Sequence, residues 1–503
     1  GGSKKKKKKK SKLDENKEKI AADVKERSVK YTRGEGNTVA EIKDKKLKMQ
    51  LARAEKAVKD AQIKAAQAEI LLPSEAGMLE AEGMEKTQRF TQVALKDAVD
   101  VGSAKKVFTL RLEDLGPYTA AYSRNGRHLL MGGKLGHLAV CDWQKGTVTC
   151  EVQVKETVRD VAFLHNETMF AAAQRKYVYV YDNTGLEVHC MRSHIEVNRM
   201  VYLPYHYLLA TVGNAGYLKY QDTSTGKLVA EIRTRLGRCD SMNLNPSNAV
   251  CLLGHSNGTV TMWTPSVTTP IVKMLCHKGP VTCVAADRGG RYMATAGMDG
   301  QMNVWDLRTY KRVHSYYTPV PATSLDISQR GLLAVGYGTK TEIWADALAA
   351  KAHKPYMSHH SPGCSLRSLA FCPYEDVLGL GHSKGFSSIV VPGAGEPNFD
   401  SYEANPFETK KQRREGEVHK LLEKLQPEMI TEDPTFVGRV DKAPAEVIAE
   451  ERRLAAEASM SNSRKKKEKR HMRGRDKIGR KLKKKQGNIV EERKGDARGH
   501  NKE

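Results

Sequence analysis

The sequence predicts an all-β fold, a seven-bladed β-propeller preceded by long N-terminal helices and followed by a helical extension and a basic tail. Between Val107 and Val391, short alternating or apolar runs recur, divided by turn signals, with first strands beginning near Tyr118, Val158, Val197, Cys239, Val281, Ala322 and Leu366. A period of about 40 residues with four strands per unit is the signature of propeller blades. His277 to Thr309 shows one unit whole, with strands at Val281 to Asp287, Arg291 to Ala296 and Gln301 to Asp306, and with Asp299-Gly300 closing a tight turn. The strand count also closes. The last unit stops after its third strand, Phe386 to Val391, while a spare strand, Val107 to Leu112, precedes the first. Joined in one blade, the two hide both sheet edges.

Trp143, Trp263, Trp305 and Trp344 end or nearly end the third strand of their units, the mark of a WD repeat; Tyr181-Asp182 and Val390-Val391 are degraded versions of it. In the complete unit, His277, Thr295, Asp299 and Trp305 occupy the positions of a structural tetrad, in which imidazole, hydroxyl, carboxylate and indole satisfy one another's hydrogen bonds. The same residue types tempt a catalytic reading, as do GHSNG (Gly254 to Gly258) and GHSKG (Gly381 to Gly385), which match the nucleophile-elbow pattern. That pattern needs a strand-to-helix turn. Both stretches fall between second and third blade strands, so Ser256 and Ser383 are hairpin residues and the chain is expected to be no enzyme. STGKL (Ser224 to Leu228) lacks the glycine and hydroxyl of a phosphate loop, and no cofactor, metal or small-molecule substrate is implied. Nine cysteines, Cys141 to Cys372, include no CxxC pair and read as reduced core thiols.

Outside the ring four further regions follow. Residues 1–38 are charged, poor in apolar groups and expected to be disordered. Residues 39–98 read as helical: Leu47, Leu51, Ala54, Val58, Ala61, Ala65, Ala68 and Leu72 form a seam of period 3.5 that stops at Pro73. A second, glycine-interrupted helical stretch runs from Ser74 to Ala98. Residues 393–433 read as an extension with a helix from Pro406 to Gln426. There Asn405 is placed as N-cap, Glu408 completes a capping box, and Val418, Leu421, Leu422 and Leu425 form one apolar stripe. Residues 434–503 read as a basic, largely disordered tail, weakly helical from 440 to 463.

Charge is concentrated at the ends. The chain carries +25 overall, of which Gly1 to Lys12 supply eight lysines and Arg464 to Glu503 a net +12, leaving +5 for everything between. End-loaded positive charge suits a polyanion. Nucleic acid is the better fit, because no apolar anchor for a membrane sits beside either end, and the leading lysines read as a nuclear address rather than a secretory signal. The candidate RNA contacts are Lys410, Lys411, Arg413, Arg414 and Lys420 on the post-ring helix, with Lys465, Lys466, Lys467, Lys483, Lys484 and Lys485 in the tail. On this reading the apolar stripe docks while the basic side meets phosphate.

The ring together with EPNFDSYEANPFETKKQRREGEVHKLLEKLQPEMI (Glu396 to Ile430) resembles the WD-repeat family called U three protein seven, a component of the eukaryotic small-subunit processome. The likeness spans about residues 40 to 440, and the post-ring segment is its specific part. The resemblance implies a nucleolar, non-catalytic scaffold for pre-rRNA processing. It would be bound to pre-ribosomal RNA and the U-three small nucleolar RNA, beside other processome proteins, WD-repeat propellers among them. The competing reading is a chromatin or ubiquitin-ligase adaptor whose propeller face reads a peptide. The charged helix fixed directly after the ring distinguishes the two.

Overall fold

A computed structural model describes residues 28–32, 42–68, 75–400, 402–434, 449, 450, 452 and 453. The chain divides into two compact units, Gly1–Pro434 and Thr435–Glu503. The four described residues of the second are helical. The arm at 1–27 and the tail lysines Lys465, Lys466, Lys467, Lys483, Lys484 and Lys485 lie outside the described residues.

The first unit contains seven four-stranded antiparallel sheets. Their first strands are Tyr118–Tyr122, Asp160–Phe163, Val197–Leu203, Cys239–Leu244, Val281–Ala286, Ser324–Ile327 and Leu366–Phe371, which makes seven blades. Two begin later than the sequence places them. Val158 and Ala322 are buried just ahead of their ladders, so they give the same apolar signal as a strand residue without pairing. Second strands such as Leu208–Gly213 and Val377–His382 are buried at every position, being covered on both faces by adjacent blades, whereas an outer strand such as Thr147–Gln153 keeps only Cys150 buried. Close blade contact also fixes small residues: a Cβ added to Gly132 in the first blade would come within 2.6 Å of Val161 Cγ1 in the second.

Polar side chains of the first strands join several blades to their neighbours. Asp160 Oδ2 accepts from Met200 N at 2.9 Å, Asn243 Nδ2 donates to Val284 O at 3.0 Å, Asp326 Oδ2 accepts from Phe371 N at 2.7 Å, and Ser368 Oγ accepts from Ala120 N at 3.2 Å. The ring closes as expected. Phe108–Arg111 pairs antiparallel with Gly385–Val390, Phe108 opposite Ser388 and Arg111 opposite Gly385. The closing strand buries its apolar side with Phe386, whose ring lies 6.0 Å from that of Phe108.

The N-terminal region departs from expectation in one part. Helix α1 spans Lys45–Ala68; its seam is not buried on this chain, Leu47, Ala54 and Ala61 being exposed and Leu51 and Val58 half-buried. The stretch from 75 to 86 is not helical; between it and the ring the described residues form a 3-10 turn at Thr87–Arg89 and the helices Gln92–Ala98 (α2) and Val101–Ala104 (α3). The reason lies in anchoring to the sixth and seventh blades. Leu79 N donates to Tyr356 Oη at 2.8 Å, and Gln92 exchanges bonds of 2.9 Å with both backbone groups of Val390. Leu95 is buried with Met357 and Ile389. Gly83, at φ +61°, ends any helical run between them.

Candidate nucleic-acid interface

Each first blade strand runs from the mouth of the channel to a loop on the opposite face, and the post-ring segment crosses those loops in turn. It touches all seven blades. Gly395 N donates to Asp376 Oδ1 at 2.8 Å on the seventh blade, Glu396 N to Gln329 Oε1 at 3.2 Å on the sixth, and Glu396 pairs with Arg288 at 2.5 Å on the fifth. Arg127 Nη1 of the first blade donates to Pro406 O at 3.1 Å, and Arg413 Nη1 donates to Glu167 Oε1 of the second at 2.7 Å. Leu425 N donates to Tyr205 O of the third at 3.0 Å, and Asn248 Nδ2 of the fourth donates to Glu432 O at 3.0 Å. Ile430 is buried among residues of the third and fourth blades.

The helix in this segment, α4, spans Lys410–Leu422, later and shorter than Pro406 to Gln426. Thr409, not Asn405, is its N-cap, and Gln412 rather than Glu408 completes the capping box. Asn405 and Pro406 belong to the turn before it. Asn405 Oδ1 accepts from Phe407 N at 2.9 Å, and the Pro406 carbonyl is held by Arg127.

Docking of α4 does not follow the apolar stripe. Val418 and Leu422 are 58% and 79% exposed, and Leu421 and Leu425 are exposed as well. Leu421 and Glu417 instead flank a cavity of about 430 Å³ lined by Leu164, Met169, Val188 and Tyr207. The helix is held by the ion pair of Arg413 with Glu167 and, just past its end, by Lys424, which pairs with Asp222 and donates to Ser224 Oγ at 2.8 Å. Burial pushes the Asp222 carboxyl up, but the bonds from Lys424 and Ser224 outweigh it and hold the group down at about 2. Of the predicted contacts, Arg413 is thus turned inward and Lys420 is half-buried, while Lys410, Lys411 and Arg414 stand exposed on one helix surface. Lys411 reaches Glu415 at 3.7 Å, an exposed pair that leaves its charge available to solvent. Sequence reasoning missed Glu167, Asp222 and Tyr205 as docking residues, because nothing local to them signals a partner more than 200 positions away.

The residues of the tetrad come together in the fifth blade. His277 Nδ1 lies 3.1 Å from Asp299 Oδ1 and Nε2 lies 2.9 Å from Thr295 Oγ1, while Trp305 Nε1 donates to that hydroxyl at 3.1 Å. Burial pushes the His277 pKa down, against the opposing pull of Asp299. Related sets went unread in the sequence: His194 with Thr211 and Gln221, each at 2.6 Å, and His255 with Thr261 at 2.7 Å. The signal was present, since His194 and Thr211 stand 17 apart and His277 and Thr295 stand 18 apart. Replacing Asp299 with alanine is expected to cost about 1 to 3 kcal/mol, the penalty for leaving a buried partner unpaired; an unchanged melting temperature would reject the assignment.

Ser256 and Ser383 sit in hairpin turns between second and third strands. Ser383 Oγ accepts from Ser365 N at 3.2 Å, and the histidines beside the two serines are turned to Thr261 and Ser387. Alanine at either serine is expected to leave growth support unchanged in a complementation assay; loss of support at normal protein level would make that serine functional.

Residues 268–306 match the model of the WD domain, G-beta repeat, and residues 355–433 that of the BING4CT (NUC141) domain. Ring and covering segment together define the class: a WD-repeat propeller whose seventh blade and capping segment form a BING4CT domain. The chain is 44% identical over 451 residues to the U3 small nucleolar RNA-associated protein 7 of Saccharomyces cerevisiae, across 86% of this chain and 81% of that protein. It is 47% identical over 400 residues to the WD repeat-containing protein 46 of Homo sapiens, across 79% of this chain and 65% of that one, and 42% identical over 367 residues to its Caenorhabditis elegans namesake, across 73% and 63%. The chain belongs to the family of the U3 small nucleolar RNA-associated protein 7.

Proposed function

We propose that the chain is a non-catalytic assembly scaffold of the small-subunit processome, acting in the nucleolus in pre-rRNA processing and small ribosomal subunit biogenesis. It holds pre-ribosomal RNA and the U3 small nucleolar RNA through its basic extensions, and other processome proteins through the ring. The observation that carries this reading is the segment from Gly393 to Asp433, tied to every blade and turning Lys410, Lys411 and Arg414 outward. A rigid base beneath exposed cations lets them meet phosphate at little ordering cost, whereas the arms supply long-range, salt-dependent attraction. Lys420 and the tail residues Lys465, Lys466, Lys467, Lys483, Lys484 and Lys485 extend the same positive field. A chromatin or ubiquitin-ligase adaptor whose propeller face reads a peptide fits less well, because it has no use for a charged helix fixed directly after the ring.

The test is charge reversal at the three exposed positions. Lys410→Glu, Lys411→Glu and Arg414→Glu leave the Arg413 and Lys424 anchors in place, so the fold survives. The triple variant is expected to leave large pre-ribosomal particles for free fractions on a sucrose gradient, and small-subunit rRNA maturation to stall. Normal sedimentation with normal rRNA processing would overturn the assignment of these residues to RNA.

A further inference from the structure

The face opposite the covered one is open. There the channel widens into a cavity of about 730 Å³ lined by residues at the starts of first blade strands and in the turns after second strands, among them Lys134, Arg159, Arg199, Arg238 and Arg367. Five cations meet there with one lining carboxylate, Asp240, while Asp160 lines the adjoining cavity that shares Arg199 and Arg367. Arg238 Nε pairs with Asp240 Oδ1 at 2.7 Å and Arg199 Nη1 approaches Asp160 Oδ1 at 3.6 Å. Arg159 Nη1 donates to the neutral Asn198 Oδ1 at 3.1 Å. Among the described residues, Lys134, Arg159 and Arg367 have no carboxylate within ion-pair distance. Burial, and the adjacent Arg199 charge, push the Arg367 guanidinium below its ordinary value.

Five cations against the two carboxylates Asp160 and Asp240 leave net positive charge in a partly desolvated cavity, an arrangement that an incoming anion relieves. The ends of this chain, Gly1 to Lys12 and Arg464 to Glu503, are themselves basic and do not supply the opposite charge. Between the cations the wall mixes threonines and asparagines with the apolar residues Pro117, Val158, Val281, Pro321 and Met298, the last 57% exposed. No Tyr, Phe, Trp or His lines the cavity. Proteins that hold single-stranded nucleic acid stack bases on aromatic rings, and an RNA duplex is too wide to enter. Carboxylate side chains alternating with small apolar ones match both the guanidinium forks and the wall between them.

We propose that this funnel is a binding site for an acidic peptide segment of a partner protein, its carboxylates taken by Arg159 and Arg367 and its apolar side chains set against Val281 and Met298. The inference deepens the scaffold reading by giving the chemistry of one protein partner. It also gives the two faces different partners, RNA for the cations of the capped face and protein for the open one.

A short glutamate-alanine peptide bearing a benzophenone is photo-crosslinked to the full chain, and the labelled residues are mapped by mass spectrometry. Labelling is expected on the funnel wall, at Val158, Val281 or Met298, and about tenfold weaker in the Arg159→Ser and Arg367→Ser double variant, a loss of about 1.4 kcal/mol, with the melting temperature unchanged. Should that variant misfold, Lys134→Ser with Arg238→Ser, both exposed at the rim, reads the same loss. Labelling confined to the basic arms, or persisting in the variants, overturns the proposal. So does a thiouridine-bearing RNA oligonucleotide that marks the same wall and displaces the peptide. Because the gradient experiment above reads RNA-dependent particle association, either result can fail without the other.

Discussion

Arg413→Glu is expected to release α4 from the ring. The substitution sets a second carboxylate against Glu167 where a 2.7 Å charge-assisted bond now lies, between side chains only 25% and 16% exposed. Losing that bond and leaving the buried acid unpaired costs about 2 kcal/mol before repulsion is counted. Hydrogen exchange is the measurement: amides of Lys410–Leu422 should lose protection while the inner strands keep theirs, and unchanged protection would show that the helix is held by something else. The other anchor adds a pH dependence. Asp222 is held down at about 2 from an ordinary 3.8, so its contribution is complete above the ordinary value and disappears as pH falls from there toward 2. Lys424→Met, which removes the charged partner but leaves the Ser224 bonds, should weaken that dependence in the exchange of Leu425.

Phe108→Asp with Leu110→Asp is expected to have the largest effect on the ring itself. Both side chains pack on the cluster around Phe386, Trp143 and Tyr118, and moving two such apolar groups back to water costs about 4 kcal/mol. The closing strand would also leave the ladder, exposing Gly385–Val390 as an unpaired edge. The variant should therefore show a much lower denaturant midpoint and elute as larger species on size exclusion. A wild-type midpoint and a monomeric elution would mean that the ring holds without its closing strand.

The ring was legible in the sequence because each blade repeats a local pattern, and because a missing fourth strand after Val391 and a spare one before Tyr118 have only one economical solution. Strand starts failed by two residues at Asp160 and Ser324, where the preceding Val158 and Ala322 are buried without being paired. Outside the ring local pattern was a poorer guide. Asn405-Pro406 has every feature of a helix start, yet the Arg127 bond to Pro406 fixes it as a turn and Thr409 takes over the cap. Amphipathicity correctly placed the stripe of α4 on one side, but not which side docks, since that depends on Glu167 and Asp222 in blades remote in sequence. The basic residues were visible one by one; that Arg413 is neutralised while Lys410, Lys411 and Arg414 are not could only come from the fold. Helical propensity between 75 and 86 lost to anchoring on Tyr356 and Val390, contacts that no window of sequence contains.

The closing ladder also decides how the molecule responds to being pulled. In the antiparallel pair Phe108 lies opposite Ser388 and Arg111 opposite Gly385, so the chain enters the closing strand and leaves its neighbour at the same end of the ladder. Tension between the N-terminal arm and the post-ring segment loads those hydrogen bonds one after another, as a zipper is loaded, rather than all together in shear. Once the post-ring segment is peeled from the blades, such a pull opens the ring at this one seam while the inner strands of the other six blades stay paired.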